Sequence, residues 1–222
     1  DLTDEARVIL KKLVKERKES GKRENDLLDM LLDARYEDGN EMDSEQLIDE
    51  ILILFTAGHE TTSNALTFAA ELLARNPEAQ QKIFEEVTLA KKETNSLMEL
   101  IQSCTYTKKV IEETMRMYPP AYFIDRVNLE DDTFEGIEIP KGSNLLFSFY
   151  EIHKHKDHWE NPEKFDPERF SDSDPYLHTP FYAPFGAGPR KCIGNNFAMF
   201  EMILAVAELV GNYKIAPKNS PI

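Results

Sequence analysis

Apolar residues in the first half of the chain recur every three or four positions, the spacing that places them on one side of a helix. Breaks in this pattern fall at Gly21, at the turn-forming run 37–40 and at Asn76-Pro77. Asn76 should cap the helix that follows it, with Pro77 in the first turn. We therefore expect helices over residues 4–19, 24–36, 43–75, 76–92 and 108–117.

The helix expected over residues 43–75 differs from the others in length and polarity. Asp43 or Ser44 offers an N-cap, Gln46 offers a capping-box partner, and no proline interrupts the segment. Residues 47–55 are apolar almost all round, which is typical of a helix that runs through the interior of a protein.

The periodicity changes after Pro119-Pro120, where paired prolines end the preceding helix. Residues 151–191 form a long stretch rich in proline, glycine and aromatics, and a loop of that length usually has a functional reason. Short β-prone runs lie between these two features and predict a small sheet of hairpins over residues 123–129, 134–139 and 144–150.

A last helix should start just after Cys192 and run to about Val210, with Gly211 as its stop. Helical segments thus make up the largest part of the predicted secondary structure, and strands are confined to one region. The predicted fold class is mainly α with a small β-sheet.

The balance of charges is strongly acidic, with 41 acidic and 26 basic residues among 222 and a formal net charge of -15. Nucleic-acid binding needs a concentrated basic surface, so this class of partner is not expected. Two cysteines cannot form a disulfide framework, which favours a reducing compartment and a cytoplasmic location. We expect no membrane span in this segment, which lacks an apolar stretch of about 18 residues, and its charged start at Asp1 is unlike a signal peptide.

Cys192 lies in a glycine-containing stretch, residues 185–194, directly before the last predicted helix. Main-chain amides and the helix dipole at such a position stabilise a thiolate, which is a ready ligand for iron. The glycines allow close approach of a flat cofactor, Arg190 can pair with a carboxylate, and Phe185 can shield the sulfur from solvent. The alternative for a cysteine taken alone is a buried structural residue beside a helix cap.

The hexamer 57–62 places an acid and hydroxyl groups within the long predicted helix. Ala57, Glu60 and Thr61 are spaced so that they share one face, and Gly58 permits a local opening of the helical hydrogen bonds. An acid beside a hydroxyl in an otherwise apolar helix suits a proton relay that water completes. Alternatively, the threonine hydroxyls simply donate to carbonyls one turn earlier.

His59 and Cys104 carry no comparable context. His59 points off the face of the acid and the hydroxyl, and a lone helical histidine is more often a hydrogen-bonded group than a metal ligand. Cys104 lies between predicted helices with no motif around it, so it is treated as incidental.

Glu113 and Arg116 are three positions apart on a predicted amphipathic helix. A pair at that spacing is ordinarily an exposed contact worth about 0.3 kcal/mol. Downstream, Arg169 is fixed between two aromatic residues in the long loop, which can bring it back as the third member of a buried network.

Four stretches resemble signatures of the cytochrome P-450 family, in the order in which the family carries them. Residues 185–194 match F-x-x-G-x-R-x-C-x-G, residues 57–62 match A-G-x-E-T-T, residues 113–116 match E-x-x-R and residues 167–170 match P-E-R-F. By this resemblance, residues 1–222 are the C-terminal, haem-binding portion of a single domain of the cytochrome P-450 fold, truncated at the N-terminus, with the N-terminal half absent.

The resemblance implies haem b (iron protoporphyrin IX) as the cofactor, with Cys192 as the axial ligand of its iron. It implies that Arg190 contacts a haem propionate and that Arg126 lies where many members keep a second propionate-binding residue. The haem-binding loop is completed by three further fixed residues, Phe185, Gly188 and Gly194.

On the opposite side of the haem, the resemblance implies that Ala57 and Gly58 line the oxygen groove. It makes Glu60 and Thr61 the acid–alcohol pair that supplies protons during oxygen activation. Phe55 would join Ala57 in an apolar wall.

The remaining matched residues have structural roles in the family. Glu113, Arg116 and Arg169 would lock the loop under the haem, so they are predicted to be structural and not catalytic. His153 precedes Trp159 as in the related loop, although either it or the propionate-binding arginine could be a surface group.

The activity implied is that of a haem-thiolate monooxygenase, an oxidoreductase that inserts one atom of O2 into an apolar organic substrate. Electrons would come from a ferredoxin, a flavodoxin-like protein or a reductase, and Arg190 and Lys191 offer positive charge for an acidic partner. Thiolate ligation favours O–O cleavage. Peroxide-driven oxidation without a redox partner and a non-catalytic haem-binding fragment stay open as alternatives, although Glu60 and Thr61 speak against the first.

Overall fold

The computed structural model describes residues 2–171 and 179–218. The chain divides into two compact units, unit 1 over residues 1–60 and unit 2 over residues 61–222. Helix α3 (Ser44–Arg75) begins in unit 1 and ends in unit 2. None of the described helices is long and apolar enough to cross a lipid bilayer.

Unit 1 contains helix α1 (Leu2–Ser20), helix α2 (Leu27–Asp33) and the first part of α3. Arg7 of α1 forms ion pairs with Glu45 and Asp49 of α3. Arg17, near the end of α1, donates to the carboxylates of Asp26 and Asp29 at 2.8 and 2.9 Å. Hydrogen bonding to this guanidinium lowers the pKa of Asp26 to about 2, so the pair holds the connection between α1 and α2.

Helix α2 is shorter at both ends than the helix predicted over residues 24–36. Asn25 has a φ of 55°, and the side chain of Asp26 accepts a hydrogen bond from the amide of Asp29, so the helix starts at Leu27. Its C-cap, Ala34, has extended backbone, and the amide of Tyr36 donates to Asn40 in the turn that follows. Apolar spacing alone could not place these ends because capping and turn contacts determine them.

The start of α3 agrees with the prediction, since the side chain of Asp43 accepts a hydrogen bond from the amide of Gln46 at 2.8 Å. Of residues 47–55, predicted to lie in the interior, the described chain buries only the start. Leu47 and Ile48 are buried, but Ile53 and Phe55 are 61% and 70% exposed. The described part of the chain therefore covers Leu47 and Ile48 in the first turns of α3 but leaves the apolar side chains of Ile53 and Phe55 uncovered.

Unit 2 is built on three helices that pack around one hydrophobic core, α4 (Pro77–Glu93), α6 (Thr105–Met117) and α8 (Asn195–Asn212). The shorter elements around them are α5 (Leu97–Ser103), α7 (Phe149–Ile152) and the 3₁₀ helices Pro167–Phe170 and Gly188–Arg190. Fully buried side chains from all three main helices meet in this core, among them Ile83, Val110 and Ala207.

Helix α6 lies at the centre of unit 2, because every residue from Val110 to Met117 is buried. The sequence predicted an amphipathic helix from about residue 108, with one polar side. The observed helix starts three residues earlier, and its polar side chains are also enclosed. Burial of charged side chains requires partners inside the protein, which the functional site supplies.

Helix α5 was not predicted. The side chain of Ser96 caps it by accepting a hydrogen bond from the amide of Glu99 at 3.2 Å, and Leu100 and Ile101 are buried. Two buried residues in seven give too little periodicity to distinguish a helix from a loop.

Two predicted helix ends differ in detail from the structure. Asn76 is the N-cap of α4 and Pro77 its first residue, as predicted, but the side-chain amide of Asn76 makes no capping bond and donates to the carbonyl of Leu72 at 2.7 Å. Gly211 does not end α8, which continues to Asn212. A Cβ at Gly211 would lie 3.4 Å from a methyl of Val87, so this glycine permits close packing of α8 on α4.

The predicted small sheet is instead two separate two-stranded antiparallel sheets among the described residues. Strand β1 (Phe123–Val127) pairs with β4 (Asn144–Ser148), and β2 (Asp132–Phe134) pairs with β3 (Ile137–Ile139). Within the β-prone run 134–139, the chain turns at Glu135-Gly136, where both residues have positive φ, so β2 and β3 form one of the predicted hairpins.

Candidate functional site

The cysteine loop, residues 185–194, is held at both ends by main-chain hydrogen bonds. The amide of Cys192 donates to the carbonyl of Phe185 at 2.9 Å, and the amide of Gly186 donates to the carbonyl of Ala183 at 3.0 Å. Within the loop, the amide of Lys191 donates to the carbonyl of Gly188 at 3.1 Å and closes the 3₁₀ helix. These bonds hold the main chain of Cys192 against the start of the loop.

Cys192 is exposed and lies three residues before Asn195, the first residue of α8, whose N-cap is Gly194; the helix thus starts slightly later than predicted. Gly194 has no side chain to cap the helix, and a Cβ there would lie 3.9 Å from the sulfur of Cys192. The sulfur thus lies beside the positive end of the dipole of an 18-residue helix.

The face of the loop beside the sulfur suits a flat, apolar cofactor. Gly186 and Gly188 have φ values of 72° and 71°, and no atom lies within 4 Å of a Cβ built on either residue. Ile193 and Phe197 are 92% and 72% exposed on the same segment of chain. A soft thiolate donor, open glycine backbone and exposed apolar side chains are what an iron porphyrin needs, so these residues fit haem.

The two arginines predicted to contact propionates lie on different elements. Arg190 ends the 3₁₀ helix of the cysteine loop and is exposed. Arg126 lies in β1, also exposed, and its Nη1 donates to the carbonyl of Asp125 at 2.6 Å. Both propionate contacts stay predictions.

The hexamer 57–62 is helical throughout, as part of α3. Thr62 is buried, whereas Ala57, Gly58, Glu60 and Thr61 are exposed. The ring of His59, one residue before Glu60, stacks on Phe55 one turn earlier, with ring centres 6.1 Å apart. No group of three or more histidine, cysteine and acidic side chains in the described part of the chain could hold a metal ion.

The predicted network of one glutamate and two arginines comes together in unit 2. Arg116 donates twice to the carboxylate of Glu113, with Nε and Nη2 at 2.7 and 3.0 Å, and neither side chain is accessible to solvent. Nε of Arg169 lies 3.4 Å from the same carboxylate. Arg116 also donates to the carbonyls of His153 and Pro162 at 2.8 Å each.

This network fastens the segment from His153 to Arg169 onto α6. The guanidinium group of Arg116 lies 5.2 Å from the ring centre of Trp159, which is itself buried. Because the guanidinium contributes donors in a fixed planar geometry, it satisfies two main-chain carbonyls and one carboxylate at once. The ion pair is therefore a structural joint between α6 and the loop that leads towards Cys192.

Two further polar residues in this region were not predicted to belong to the site. The hydroxyl of Tyr182 donates to the carboxylate of Glu112, the residue directly before Glu113; Glu112 is buried and Tyr182 is half-buried. Burial raises the pKa of Glu112 and of Tyr182 above their ordinary values. The tandem acids at 112–113 were the one available signal, since two adjacent helical acids point to different sides of the helix.

A cavity of about 530 Å³ adjoins the cysteine loop. Its walls come from α5, α6, α8 and the segment that contains Tyr182 and Phe185. Glu112 contributes an acidic group, and the basic residues on its lining are Lys108, Lys109 and Lys191.

Comparison with known proteins agrees with the motifs. The chain is 38% identical over 197 residues to "Probable cytochrome P450 4s3" of Drosophila melanogaster, covering 88% of this chain and 38% of the relative. It is 33% identical over 213 residues to cyclooctat-9-en-7-ol 5-monooxygenase of Streptomyces melanosporofaciens, covering 95% and 46%.

Among solved structures, retinoic acid-bound cyanobacterial CYP120A1 matches with a TM-score of 0.84 and 32% sequence identity. This match covers 92% of the chain and 47% of the solved one, so the chain spans less than half the length of the relatives it matches. The family model described as cytochrome P450 matches residues 2–222. On the strength of this match and of the mainly helical fold that agrees with it, the chain belongs to the cytochrome P450 family.

Proposed function

We propose that this chain is the haem-binding portion of a haem-thiolate monooxygenase that inserts one atom of O2 into an apolar organic substrate. The observation that carries this proposal is the cysteine loop, which presents an exposed cysteine sulfur between open glycines and the start of α8. Family membership and the name of the Streptomyces relative, a monooxygenase, support the same activity.

Cys192 would hold the haem iron through its thiolate, and Arg190 would pair with a propionate of the haem. Haem, when bound, supplies the oxygen-activating chemistry, and a thiolate ligand favours cleavage of the O–O bond. The remaining contribution of the chain is to fix the thiolate in place and to surround it with apolar groups. Ile193 and Phe197 follow Cys192 closely in the chain, and their exposed apolar side chains would exclude water from the side of the haem that faces Cys192.

The reduced, carbon monoxide-bound difference spectrum tests this assignment. Purified protein loaded with haem should show the Soret band of thiolate-ligated haem, and Cys192→Ser should abolish it. Cys104→Ala is the matched control, because it removes the other cysteine, which is buried in the core of unit 2. An unchanged band in Cys192→Ser would contradict the proposal.

Glu60 and Thr61 would form the acid–alcohol pair that delivers protons to the oxygen chemistry. The carboxyl and the hydroxyl are adjacent on a helix that is continuous through this segment, and both residues are accessible to water in the structure. A hydroxyl accepts a proton from one neighbour and passes its own to the next, so it acts together with the acid and ordered water.

Measuring how oxygen consumption divides between product and released hydrogen peroxide tests this role. Thr61→Ala should consume O2 while losing product and releasing peroxide. Thr67→Ala serves as control, since it removes a hydroxyl on the same helix that donates to Ser63 one turn earlier. A peroxide-driven enzyme would be barely affected by Thr61→Ala, so equal product yields in both variants would favour that alternative.

Electrons would come from an acidic partner, a ferredoxin or a flavodoxin-like protein, that docks beside the cysteine loop. Lys108 and Lys191 on the lining of the 530 Å³ cavity support this proposal, because they place positive charge beside the cysteine loop of a chain with a net charge of -15, whereas Lys109 is paired with Glu168. Charge complementarity of this kind raises the rate of encounter at low salt.

Reversal of one of these charges tests the docking site. Lys191→Glu should slow reduction by an acidic ferredoxin about tenfold at low ionic strength, and added salt should narrow the difference. The control, Lys214→Glu, makes the same change at an exposed position after α8. Reduction of Lys191→Glu at the rate of the control would remove Lys191 from the docking contact.

A further inference from the structure

We propose that the hydrogen bond between Tyr182 and Glu112 is a positioning contact for the Cys192 thiolate. It fixes the segment 182–185, whose last carbonyl holds the amide of Cys192. The inference rests on the proposed function, since it concerns how the iron ligand is held. It assigns a role to two residues that lie outside the four signatures of the chain.

The hydrogen bond joins a central helix to the start of the cysteine loop. Glu112 belongs to α6 and is only 9% exposed, and the hydroxyl of Tyr182 donates to its carboxylate. The same hydroxyl lies 3.0 Å from the main-chain carbonyl oxygen of Glu112, so both the side chain and the backbone of α6 locate it. Its partners are 70 positions apart in the sequence, which makes this a tertiary contact.

Aromatic packing holds the ring of Tyr182 from the other sides. The ring centre lies 4.8 Å from that of Phe170, 5.3 Å from His153 and 6.1 Å from Trp159. These rings belong to the segment that Arg116 fastens to α6. The hydroxyl therefore extends from a ring that packs on three aromatic neighbours towards the carboxylate of Glu112.

The next residue is held as well. The amide of Ala183 donates to Nε2 of His153 at 3.0 Å, and the side chain of His153 is fully buried. The carbonyl of Ala183 then accepts the amide of Gly186 at 3.0 Å, which forms the turn into the loop. Two consecutive residues, Tyr182 and Ala183, are thus bound by side chains of α6 and of the segment after α7.

The constraint reaches the sulfur through few freely rotating bonds. Tyr182 is three residues from Phe185, and Phe185 accepts the amide of Cys192 at 2.9 Å. Pro184 lies between them and has a fixed φ, which further stiffens the connection. If residue 182 moves, the carbonyl that holds Cys192 moves with it, and the direction of the sulfur changes.

The hydroxyl matters separately from the ring. Phenylalanine at position 182 would preserve the packing on Phe170 and Trp159 but would leave a buried carboxyl without its donor. That carboxyl lines the cavity beside the loop and would draw in water or Lys108, which faces it on α6. We therefore expect Tyr182→Phe to fold with a loop that holds the thiolate less firmly.

The experiment compares four variants of the haem-loaded protein by their reduced, carbon monoxide-bound spectra. The measured quantity is the fraction of haem with the thiolate-type Soret band, at matched haem content and with melting temperature recorded. Tyr182→Phe should raise the fraction that has lost the thiolate about fivefold, the order that one buried hydrogen bond gives. Tyr106→Phe, which removes a hydroxyl from the same helix as Glu112, should leave it unchanged.

Substitution of the acid distinguishes positioning from general stability. Glu112→Gln keeps an oxygen that accepts from Tyr182, so it should retain the thiolate fraction, while Glu112→Leu should lose it to the same degree as Tyr182→Phe. A merely structural role would move the melting temperature and leave the band fraction of folded protein unchanged. If Tyr182→Phe does not fold, the comparison between Glu112→Gln and Glu112→Leu decides.

Each outcome separates this inference from the proposed function. Absence of the thiolate band in the unmodified protein would reject the haem-thiolate assignment itself. A band in the unmodified protein that persists equally in Tyr182→Phe, or equally in Glu112→Gln and Glu112→Leu, would overturn the positioning role and leave the assignment intact.

Discussion

Burial determines the charge of His153, the residue that holds the amide of Ala183. Its side chain is inaccessible to solvent, and burial lowers its pKa from the ordinary value of 6.5 to about 4. Because Nε2 accepts a hydrogen bond, the proton of the neutral ring resides on Nδ1. His153 is therefore neutral at pH 7 and must gain a charge when acid unfolds the chain.

We expect His153 to make the protein less stable as the pH falls. In the unfolded chain the ring binds a proton below about pH 6.5, while in the folded state it does so only below about pH 4, so protons favour the unfolded state in this window. The loss should approach about 3 kcal/mol between pH 7 and pH 4. Urea unfolding as a function of pH measures it.

The variant His153→Gln separates this effect from other acid-sensitive groups. Its side-chain oxygen can accept from Ala183 but does not titrate, so its stability should fall less steeply over the same range. Parallel curves for the two proteins would show that His153 does not carry the effect.

The cysteine loop and the glutamate–arginine network were both predictable from sequence, for different reasons. The loop could be predicted from local sequence, since its ten residues contain the glycines that allow an open backbone and the cysteine that can donate to iron. Glu113, Arg116 and Arg169 were predicted through the resemblance to the family. The bond between Tyr182 and Glu112 could not be predicted, because it joins residues 70 positions apart that are ordinary by themselves.

Helix α6 begins on a carboxylate that belongs to another helix. Both oxygens of Glu86, on α4, accept hydrogen bonds from the first turn of α6, from the amide of Tyr106 at 2.5 Å and the amide of Thr107 at 2.9 Å. The hydroxyl of Thr107 adds a third at 2.7 Å. The acid thus takes the place of an N-cap, which the side chain of Cys104 does not supply.

Removal of this carboxylate should destabilise α6 and the network that it carries. We expect Glu86→Ala to lower the free energy of unfolding by about 1–2 kcal/mol, as for loss of a strong N-cap. Glu85→Ala removes the neighbouring acid, whose partner is Gln81 on the same helix, and should change stability by less than about 0.5 kcal/mol. Denaturant unfolding followed by circular dichroism compares them, and equal losses would contradict the capping role.

The elements show what apolar periodicity can and cannot establish. It predicted α1, α3, α4 and α8 with small errors at their ends, because each has many apolar residues at helical spacing. It misjudged exposure at two places: within residues 47–55, Ile53 and Phe55 are exposed, and the polar side chains of residues 110–117 are buried. Burial of a polar face depends on partners that lie elsewhere in the chain, and a local pattern does not contain them.

The two cysteines of the molecule occupy opposite environments. Cys104 is fully buried in the core of unit 2, and burial raises its pKa from 9.0 to about 11, whereas Cys192 is exposed. That rise lowers the thiolate population of Cys104 about 100-fold relative to an ordinary cysteine near pH 8. Reaction of Cys192 with a thiol reagent therefore reports on access to the cysteine loop, and reaction of Cys104 reports on unfolding of unit 2.

We expect haem-free folded protein to react with a thiol reagent in two separate phases. One equivalent should add quickly at Cys192, and the second should add to Cys104 only as unit 2 unfolds. Mass spectrometry of peptides after timed labelling assigns the phases, with Cys192→Ser as the control that lacks the fast one. Haem should slow the fast phase, and rapid labelling of Cys104 in folded protein would contradict its burial.

The end of the described chain is attached to the core by Gln80. Its side-chain amide accepts from the amide of Ile215 at 2.9 Å, donates to the carbonyl of Ile215 at 2.8 Å and donates to Leu73. Both contacts with position 215 use main-chain atoms, so any residue there can make them except proline, which has no N–H. The side chain at position 215 can thus change without loss of these hydrogen bonds, provided that residue 80 keeps its carboxamide.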